Sequence, residues 1–244
     1  PRGFPSAVVT LVPAQRVALA LAACALASVL IAAPRATLIA INAMITVFYL
    51  INAVYRVGLV DLSLRHRPEI CVDTEELAAA DSGDWPSYLV LVPLYREGAI
   101  LPSLVQALSR LDYPKDRLDI RLLVEADDEE TMAAARRLSP PSPFQVVSIP
   151  VSEPRTKPKA CNVGMQGSDA DLVVIYDAED RPDPDQLRKA ALAFRRVPAR
   201  VACIQAKLGF YNTHQNLLTR WFTAEYAMWF DLCMPALDGL GAPI

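Results

Sequence analysis

The sequence predicts an α/β protein whose core is a mostly parallel β-sheet with helices on both faces. Two observations lead to this prediction. Between residues 88 and 206, short and continuously apolar runs alternate with amphipathic segments at the spacing of β-α-β units. Residues 17–60 differ, because they hold two apolar runs that are much longer than a strand. We therefore expect two apolar helices ahead of the sheet domain.

The first apolar run, residues 17–33, has no charged side chain, and the second, residues 36–60, has only one. A helix rises about 1.5 Å per residue, so each run is roughly as long as the hydrocarbon core of a bilayer is thick. Pro34 and Arg35 predict a tight turn between the runs, so residues 1–62 are predicted to form a transmembrane helical hairpin. A helical pair in a soluble core would be unusually long, and a signal peptide would not lead directly into a second apolar run.

Basic residues flank the hairpin at both ends, with Arg2 before it and Arg65 and Arg67 after it. The positive-inside rule then places both ends in the cytoplasm. We therefore expect a multi-pass protein of the inner (cytoplasmic) membrane, with the following domain in the cytoplasm.

The composition excludes several kinds of partner and site. The net charge is −3, so no general basic field indicates a nucleic-acid partner. The five cysteines form no C-x-x-C pair and there are only two histidines, so neither a zinc site nor a disulfide framework is predicted. Free thiols are typical of a reducing compartment, which agrees with a cytoplasmic domain.

A mixed, acidic connector at residues 63–87 leads into the predicted sheet domain, residues 88–244. The strands are predicted at residues 88–93, 120–124, 144–149, 172–176 and 201–206. The helices are predicted at residues 99–111, 129–138, 183–197 with Asp183 as N-cap, and 214–233. Ligands of parallel sheets bind beyond the carboxyl ends of the strands, so the residues after each strand are the candidates for a site.

Acidic side chains follow three of these strands, and a basic loop lies between the third and fourth strands. Asp177 and Glu179 have a spacing that can direct two carboxylates toward a hard cation, Mg²⁺ or Mn²⁺. Lys157 and Lys159 would neutralise phosphate charge near that ion. A metal and a lysine together stabilise a departing diphosphate.

Each of these groups also has a simpler interpretation. The acidic run at residues 127–130 is typical of a helix N-terminus, where carboxylates are favourable. The two lysines could belong to a solvated basic loop. The last predicted helix, rich in aromatic side chains, could lie at a membrane surface, stack on an acceptor or pack against further protein.

Four strings make the sequence resemble glycosyltransferase family 2, and in particular its membrane-bound, cellulose-synthase-like branch. They are VPLYRE at 92–97, LLVEADDEET at 122–131, TKPKACNVGM at 156–165 and VVIYDAEDRPDPDQL at 173–187. They occur in the family's order, and the resemblance covers the chain from about residue 88 to its end.

The resemblance implies a GT-A, Rossmann-like fold, a UDP-sugar donor, a divalent metal and inversion at the anomeric carbon. It implies that Asp177 and Glu179 are the metal ligands, with glutamate in place of the family's second aspartate. Glu125 would recognise the nucleobase, with Asp127 as the alternative residue for that role. Lys159 would contact the diphosphate. The full implied nucleotide-binding set is Pro93, Tyr95, Glu97, Glu125, Asp127, Lys159 and Asn162.

The sequence departs from the family in one respect that bears on turnover. Neither the motif that carries the general base nor the Q-x-x-R-W motif of processive members occurs in these 244 residues. We interpret the chain, which starts at Pro1, as an N-terminal fragment with its general base beyond Ile244. An inverting transfer needs a base for the acceptor's proton, so we expect the fragment to bind donor and turn over poorly.

The leading hypothesis is transfer of a hexose from a nucleotide donor to a polysaccharide or lipid-linked acceptor at the cytoplasmic face of the membrane. A nucleotidyltransferase is an alternative, but it would usually have a glycine-rich basic loop after the first strand, where this chain has Tyr95, Arg96 and Glu97. A second alternative is a non-catalytic membrane scaffold or receptor that keeps the fold.

Overall fold

A computed structural model describes residues 10–66, 69–80, 85–153 and 155–242 of the chain. Arg2 and Arg67, on which the predicted orientation depends, lie outside these residues. The chain forms two compact units. One holds Ile70–Ala206, and the other holds the described residues up to Glu69 and from Lys207 onward. The predicted boundaries 1–62, 63–87 and 88–244 stay predictions.

Two long helices begin the described chain: α1, Pro13–Ala32, and α2, Pro34–His66. Both are long and apolar enough to cross a membrane, judged by length and composition. No residue of α1 is buried, and α2 buries few described side chains, among them Thr37 and Leu59. This exposure is the opposite of what a helical pair in a soluble core would have.

The sheet has four parallel strands among the described residues, in the order β3-β2-β1-β4. Their bounds are β1 Tyr88–Leu94, β2 Leu118–Glu125, β3 Phe144–Ile149 and β4 Leu172–Ile175. Tyr88 pairs with both Leu118 and Leu172, so β1 lies between β2 and β4. The predicted parallel sheet is confirmed.

Five helices surround the sheet: α3 Thr74–Ala79, α4 Leu101–Leu108, α5 Glu129–Leu138, α6 Lys157–Gly164 and α7 Gln186–Arg196. Alternate residues of a strand point to opposite faces, so β1 divides its side chains between two cores. Val90 and Val92 join the larger core with side chains of α3, α4, α5 and α7. Leu89 and Leu91 pack with Ala160 of α6 on the other face. Helices on both faces, as expected of a GT-A fold, are therefore confirmed.

Three local predictions for residues 70–206 were wrong. Residues 201–206 are not a strand, because they pair with none of the described strands. Helix α7 begins at Gln186 and not at Asp183, because residues 184–185 form a turn first. The basic loop is largely a helix, since Thr156 caps α6 by accepting a hydrogen bond from the Lys159 N–H.

The chain ends its described part with a continuous helix that starts at Leu217 and not at His214. It comprises α8 Leu217–Ala227, a π-helical segment Met228–Cys233 and α9 Met234–Gly239. Within the unit that contains it, Cys233 and Ala236 pack on Leu59 of α2. Lys207 also pairs there with Glu69 and Asp231, each at 2.9 Å.

Candidate functional site

The candidate site lies at the carboxyl ends of β1, β2 and β4. Because the strands are parallel and β1 is central, the segments that follow these strands are neighbours at one edge of the sheet. These segments are residues 95–97 after β1, 126–131 after β2 and 177–180 after β4, and Glu125 is the last residue of β2. The first turn of α6 contributes two lysines to the same edge.

Backbone hydrogen bonds connect the loop after β1 to the start of α5. The Arg96 N–H donates to Asp128 Oδ2 at 2.5 Å, and the Glu97 N–H donates to Thr131 Oγ1 at 3.0 Å. Arg96 has a φ of 58°, a left-handed conformation that is uncommon for a residue other than glycine. Asp128 also caps α5 by accepting from the Thr131 N–H at 3.1 Å. The loop is therefore held in one position by the same carboxylate that starts the helix.

Three carboxylates of this edge have shifted pKa values, and the pKa of Asp180 is raised chiefly by burial. Burial alone would raise the pKa of Asp128, but hydrogen bonds from the Arg96 N–H and from Thr131 outweigh it and hold the pKa below its usual value. For Glu97, burial raises the pKa, and the negative charges of Glu179, Asp177 and Asp128 raise it further. These four carboxylates therefore lie close enough together to create a negative region at the strand ends.

The turn after β4 presents Asp177 and Glu179 to solvent. Both residues are exposed, while Ala178 between them is buried. Asp180 Oδ2 accepts a hydrogen bond from the Asp177 N–H at 2.7 Å, and the Asp180 N–H donates to the Asp177 carbonyl oxygen at 3.1 Å. Asp180 thereby shapes the turn and leaves the carboxylates of Asp177 and Glu179 available to a ligand.

Helix α6 brings its two lysines to different strands. Lys157 Nζ contacts Asp177 Oδ1 after β4. Lys159 Nζ lies 3.2 Å from Glu125 Oε2 at the end of β2 and 3.3 Å from the Ser152 carbonyl oxygen. The two positions are about 200° apart around the helix, since each residue turns it by about 100°. One helical turn therefore spans the strand ends on both sides of β1.

The predicted site residues do not all take part in this charged cluster. Asp127 pairs with Arg155 at 2.7 Å. Tyr95 is exposed, with the Arg96 guanidinium 5.2 Å from the centre of its ring. Pro93 is half-buried within β1 and Asn162 is exposed on α6, and neither joins an ion pair of the cluster.

Sequence reasoning gave no role to Thr131 and Asp180, which shape the site, and it placed Asp128 and Arg155 only within an acidic helix start and a basic loop. It expected Lys157, like Lys159, to neutralise phosphate charge, but it did not predict that the two lysines contact different carboxylates. A signal was present, because Thr156 followed by Pro158 is a common helix start. Recognising that start would have placed Lys157 and Lys159 on different sides of a helix.

The donor set of the cluster fits a divalent metal. Asp177 and Glu179 offer hard oxygen ligands of the kind that Mg²⁺ and Mn²⁺ prefer. Within the described part of the chain, no group of three or more His, Cys, Asp or Glu side chains has an arrangement that could hold a metal ion. Mg²⁺ is commonly bound by one or two carboxylates together with substrate phosphates, so two exposed carboxylates suit an ion that a diphosphate completes.

Comparison with known proteins identifies the family. A family model described as "Glycosyltransferase like family 2" matches residues 86–242, more than half of the chain. The chain belongs to this family. The match confirms the resemblance to glycosyltransferase family 2 that the four sequence strings indicated.

Two curated relatives illustrate the relationship. Probable glycosyltransferase YdaM of Bacillus subtilis is 26% identical over 142 residues, which cover 57% of this chain and 34% of that protein. Glucomannan 4-beta-mannosyltransferase 2 of Arabidopsis thaliana is 30% identical over 163 residues, which cover 64% of this chain and 30% of that protein. The family 2 chain therefore spans about a third of the length of these relatives.

Two solved structures match part of the chain. Mannosyltransferase PcManGT from Pyrobaculum calidifontis, in complex with GDP-Man and Mn²⁺, matches with a TM-score of 0.46 at 24% identity, covering 66% of this chain and 47% of that chain. S. aureus TarS 1-349 in complex with UDP-GlcNAc matches with a TM-score of 0.39 at 20% identity, covering 45% of this chain and 31% of that chain.

Proposed function

We propose that this family 2 chain binds a nucleotide-diphosphate sugar, in the first instance a UDP-sugar, and acts in an inverting transfer of a hexose. One observation carries the proposal. Two lysines of one helical turn meet carboxylates after β2 and β4, beside the exposed pair Asp177 and Glu179. Positive and negative groups thus converge where a parallel sheet binds its ligands, which suits a metal–diphosphate complex.

Different residues of the site would bind different parts of the donor. Asp177 and Glu179 would hold the Mg²⁺ or Mn²⁺, and Asp180 orients the backbone that carries them. The metal, when bound, supplies positive charge that stabilises the departing diphosphate. Lys157, already beside Asp177, would add an ammonium group to the same diphosphate. The nucleoside would lie toward β1 and β2, against the predicted set Pro93, Tyr95, Glu97, Glu125, Asp127, Lys159 and Asn162.

The acceptor is proposed from the relatives. Several of them are glucomannan 4-beta-mannosyltransferases, which favours hexose addition to a polysaccharide, with a lipid-linked glycan as the other acceptor class. We assign donor binding, and not the proton transfer from the acceptor, to the described residues.

The membrane location is part of the same proposal. Helices α1 and α2 are long and apolar enough to span a bilayer, and their side chains are almost all exposed in the described structure. A hairpin of two spans with both ends in the cytoplasm would keep the sheet domain on the cytoplasmic face of the inner membrane.

Metal-dependent binding of UDP by the full chain in detergent tests the proposal, with isothermal titration calorimetry as the measurement. Asp177→Asn removes one metal ligand, so Mn²⁺-dependent UDP affinity should fall by more than about tenfold. Asp169→Asn is the matched control, because Asp169 is an exposed aspartate just before β4 at the other end of the strand. Equal UDP affinity in the presence of Mn²⁺ for the Asp177→Asn and unchanged chains would overturn the metal assignment.

A further inference from the structure

An arginine of β2 is joined to the carboxyl end of α6, away from the strand-end site. Arg121 Nη1 donates to the Gly164 carbonyl oxygen at 2.7 Å and to the Gln166 carbonyl oxygen at 2.9 Å. Asp119 Oδ2 accepts from Arg121 Nε at 2.9 Å and lies 2.8 Å from Nη2. The Arg121 side chain is only 13% exposed, and each of its three guanidinium nitrogens has a protein partner.

These contacts determine where α6 lies on the sheet. The last carbonyl groups of a helix point along its axis and have no partner within the helix, so an arginine that binds them sets the position of the helix along that axis. The distance from the sheet is set by Gly164, the last residue of α6. A Cβ atom there would lie 2.7 Å from the Leu123 side chain and 3.1 Å from the Leu91 side chain. Helix α6 is therefore fixed along its axis and pressed against β1 and β2.

The amino end of the same helix reaches the candidate site. Lys157 is the first residue of α6, and its ammonium group contacts the Asp177 carboxylate after β4. The helix has eight residues, which is a length of roughly 12 Å, so a shift of its carboxyl end along the axis is carried to Lys157. The two side chains are 44% and 54% exposed, and such an exposed pair contributes too little to hold the helix in place.

We propose that Arg121 is a positioning residue of the donor site, which holds α6 where the Lys157 ammonium group lies beside Asp177 and can reach the diphosphate. This inference rests on the proposed function. The partners of Arg121 lie at the opposite end of α6 from Lys157. Arg121 therefore acts on the diphosphate through the helix, and its loss should weaken diphosphate binding only while Lys157 is present.

A double-mutant cycle tests this dependence in the full chain in detergent. Inorganic pyrophosphate is titrated with Mn²⁺ present, and isothermal titration calorimetry measures its affinity. Arg121→Met should weaken pyrophosphate binding by about fivefold, and Lys157→Met should weaken it by about tenfold. The chain with both changes should bind no more weakly than Lys157→Met alone, because a displaced helix no longer carries the lysine. A purely structural role of Arg121 would not produce this coupling.

A conservative variant and a matched control accompany the cycle. Arg121→Lys keeps a positive charge near the carbonyl groups but lacks the planar fork, so it should give a smaller loss, about threefold. Arg137→Met is the control, because Arg137 is an exposed arginine in the last turn of α5, another helix that begins at the site. It should leave pyrophosphate affinity unchanged. If Arg121→Met does not fold, as judged by circular dichroism, the cycle is run with Arg121→Lys.

The outcomes separate the two proposals. If the loss in the doubly changed chain equals the product of the two single losses, Arg121 acts independently of Lys157 and the positioning role is overturned. An unchanged pyrophosphate affinity of the folded Arg121 variant would overturn it as well. In both cases the unchanged chain still binds pyrophosphate, and the proposed function stands. If the unchanged chain does not bind pyrophosphate in the presence of Mn²⁺, the proposed function falls together with this inference.

Discussion

The two sides of the strand-end site are built differently. On the β2 side, Glu125 and Asp128 are both buried, and protein groups already occupy their oxygens: Lys159 for the first, and the backbone N–H groups of Arg96 and Thr131 for the second. On the β4 side, Asp177 and Glu179 are exposed. The Asp177 carboxylate contacts Lys157, which is itself exposed.

This difference indicates a division between stability and ligand binding. Buried carboxylates must be paired in the folded state, so their partners become part of the free energy of folding. Exposed carboxylates keep their hydration until a ligand replaces it, so they add little to folding and remain available for a cation. Changes on the β2 side should therefore lower stability, and changes on the β4 side should lower binding.

Removing the buried carboxylate of Glu125 should have the largest effect on stability. Glu125→Ala leaves the Lys159 ammonium without its partner at a largely buried position, which costs about 3 kcal/mol in the free energy of unfolding. Hydrogen–deuterium exchange of β2 amides in the full chain measures this cost. Glu179→Ala is the matched change on the β4 side and should alter the same amides by less than about 0.5 kcal/mol. Equal effects of the two changes would contradict the division.

Asp128→Ala should have an intermediate effect that depends on pH. The change removes the cap of α5 and the acceptor of the Arg96 N–H, so it costs about 2 kcal/mol near neutral pH. The folded-state pKa of Asp128 lies below the unfolded value of 3.8, so its carboxylate stabilises the fold above that pH and less as the pH falls through the folded pKa.

The pH series therefore has a defined direction. The stability difference between the unchanged chain and Asp128→Ala should shrink below about pH 4, as hydrogen exchange of α5 amides would measure. Glu129→Ala, an exposed change in the first turn of the same helix, is the control and should give a small difference throughout. A difference for Asp128→Ala that grows as the pH is lowered would contradict the assigned pKa direction.

Lys157→Met should have the smallest effect on stability. The Lys157–Asp177 pair is exposed, and such pairs contribute less than about 1 kcal/mol, so β4 amides should exchange at nearly the same rate in both chains. A decrease of more than about 2 kcal/mol in the free energy of unfolding would show that the Lys157–Asp177 pair also stabilises the fold. The β2 and β4 sides would then not differ in their contribution to stability.

Most of the sheet was predictable from the sequence, because the patterns that indicate a strand lie within short segments of the chain. Continuous apolar runs identified the four strands to within two residues at either end, and their order in the chain with intervening helices predicted parallel pairing. The prediction failed for residues 201–206, since an apolar run becomes a strand only where another strand pairs with it. It failed again for the loop that became α6, because Thr156 was not recognised as a helix cap.

The family resemblance, the α/β class and the set of charged residues that follow the strands were predictable without a structure, because motif strings, periodicity and residue order are properties of the chain alone. The tertiary structure decided which lysine meets which carboxylate. That choice depends on where α6 begins, which sets Lys157 and Lys159 about 200° apart, and on the sheet order, which places β2 and β4 on opposite sides of β1. It also decided that Glu125 is buried and Asp177 exposed, because burial depends on which distant segments pack together.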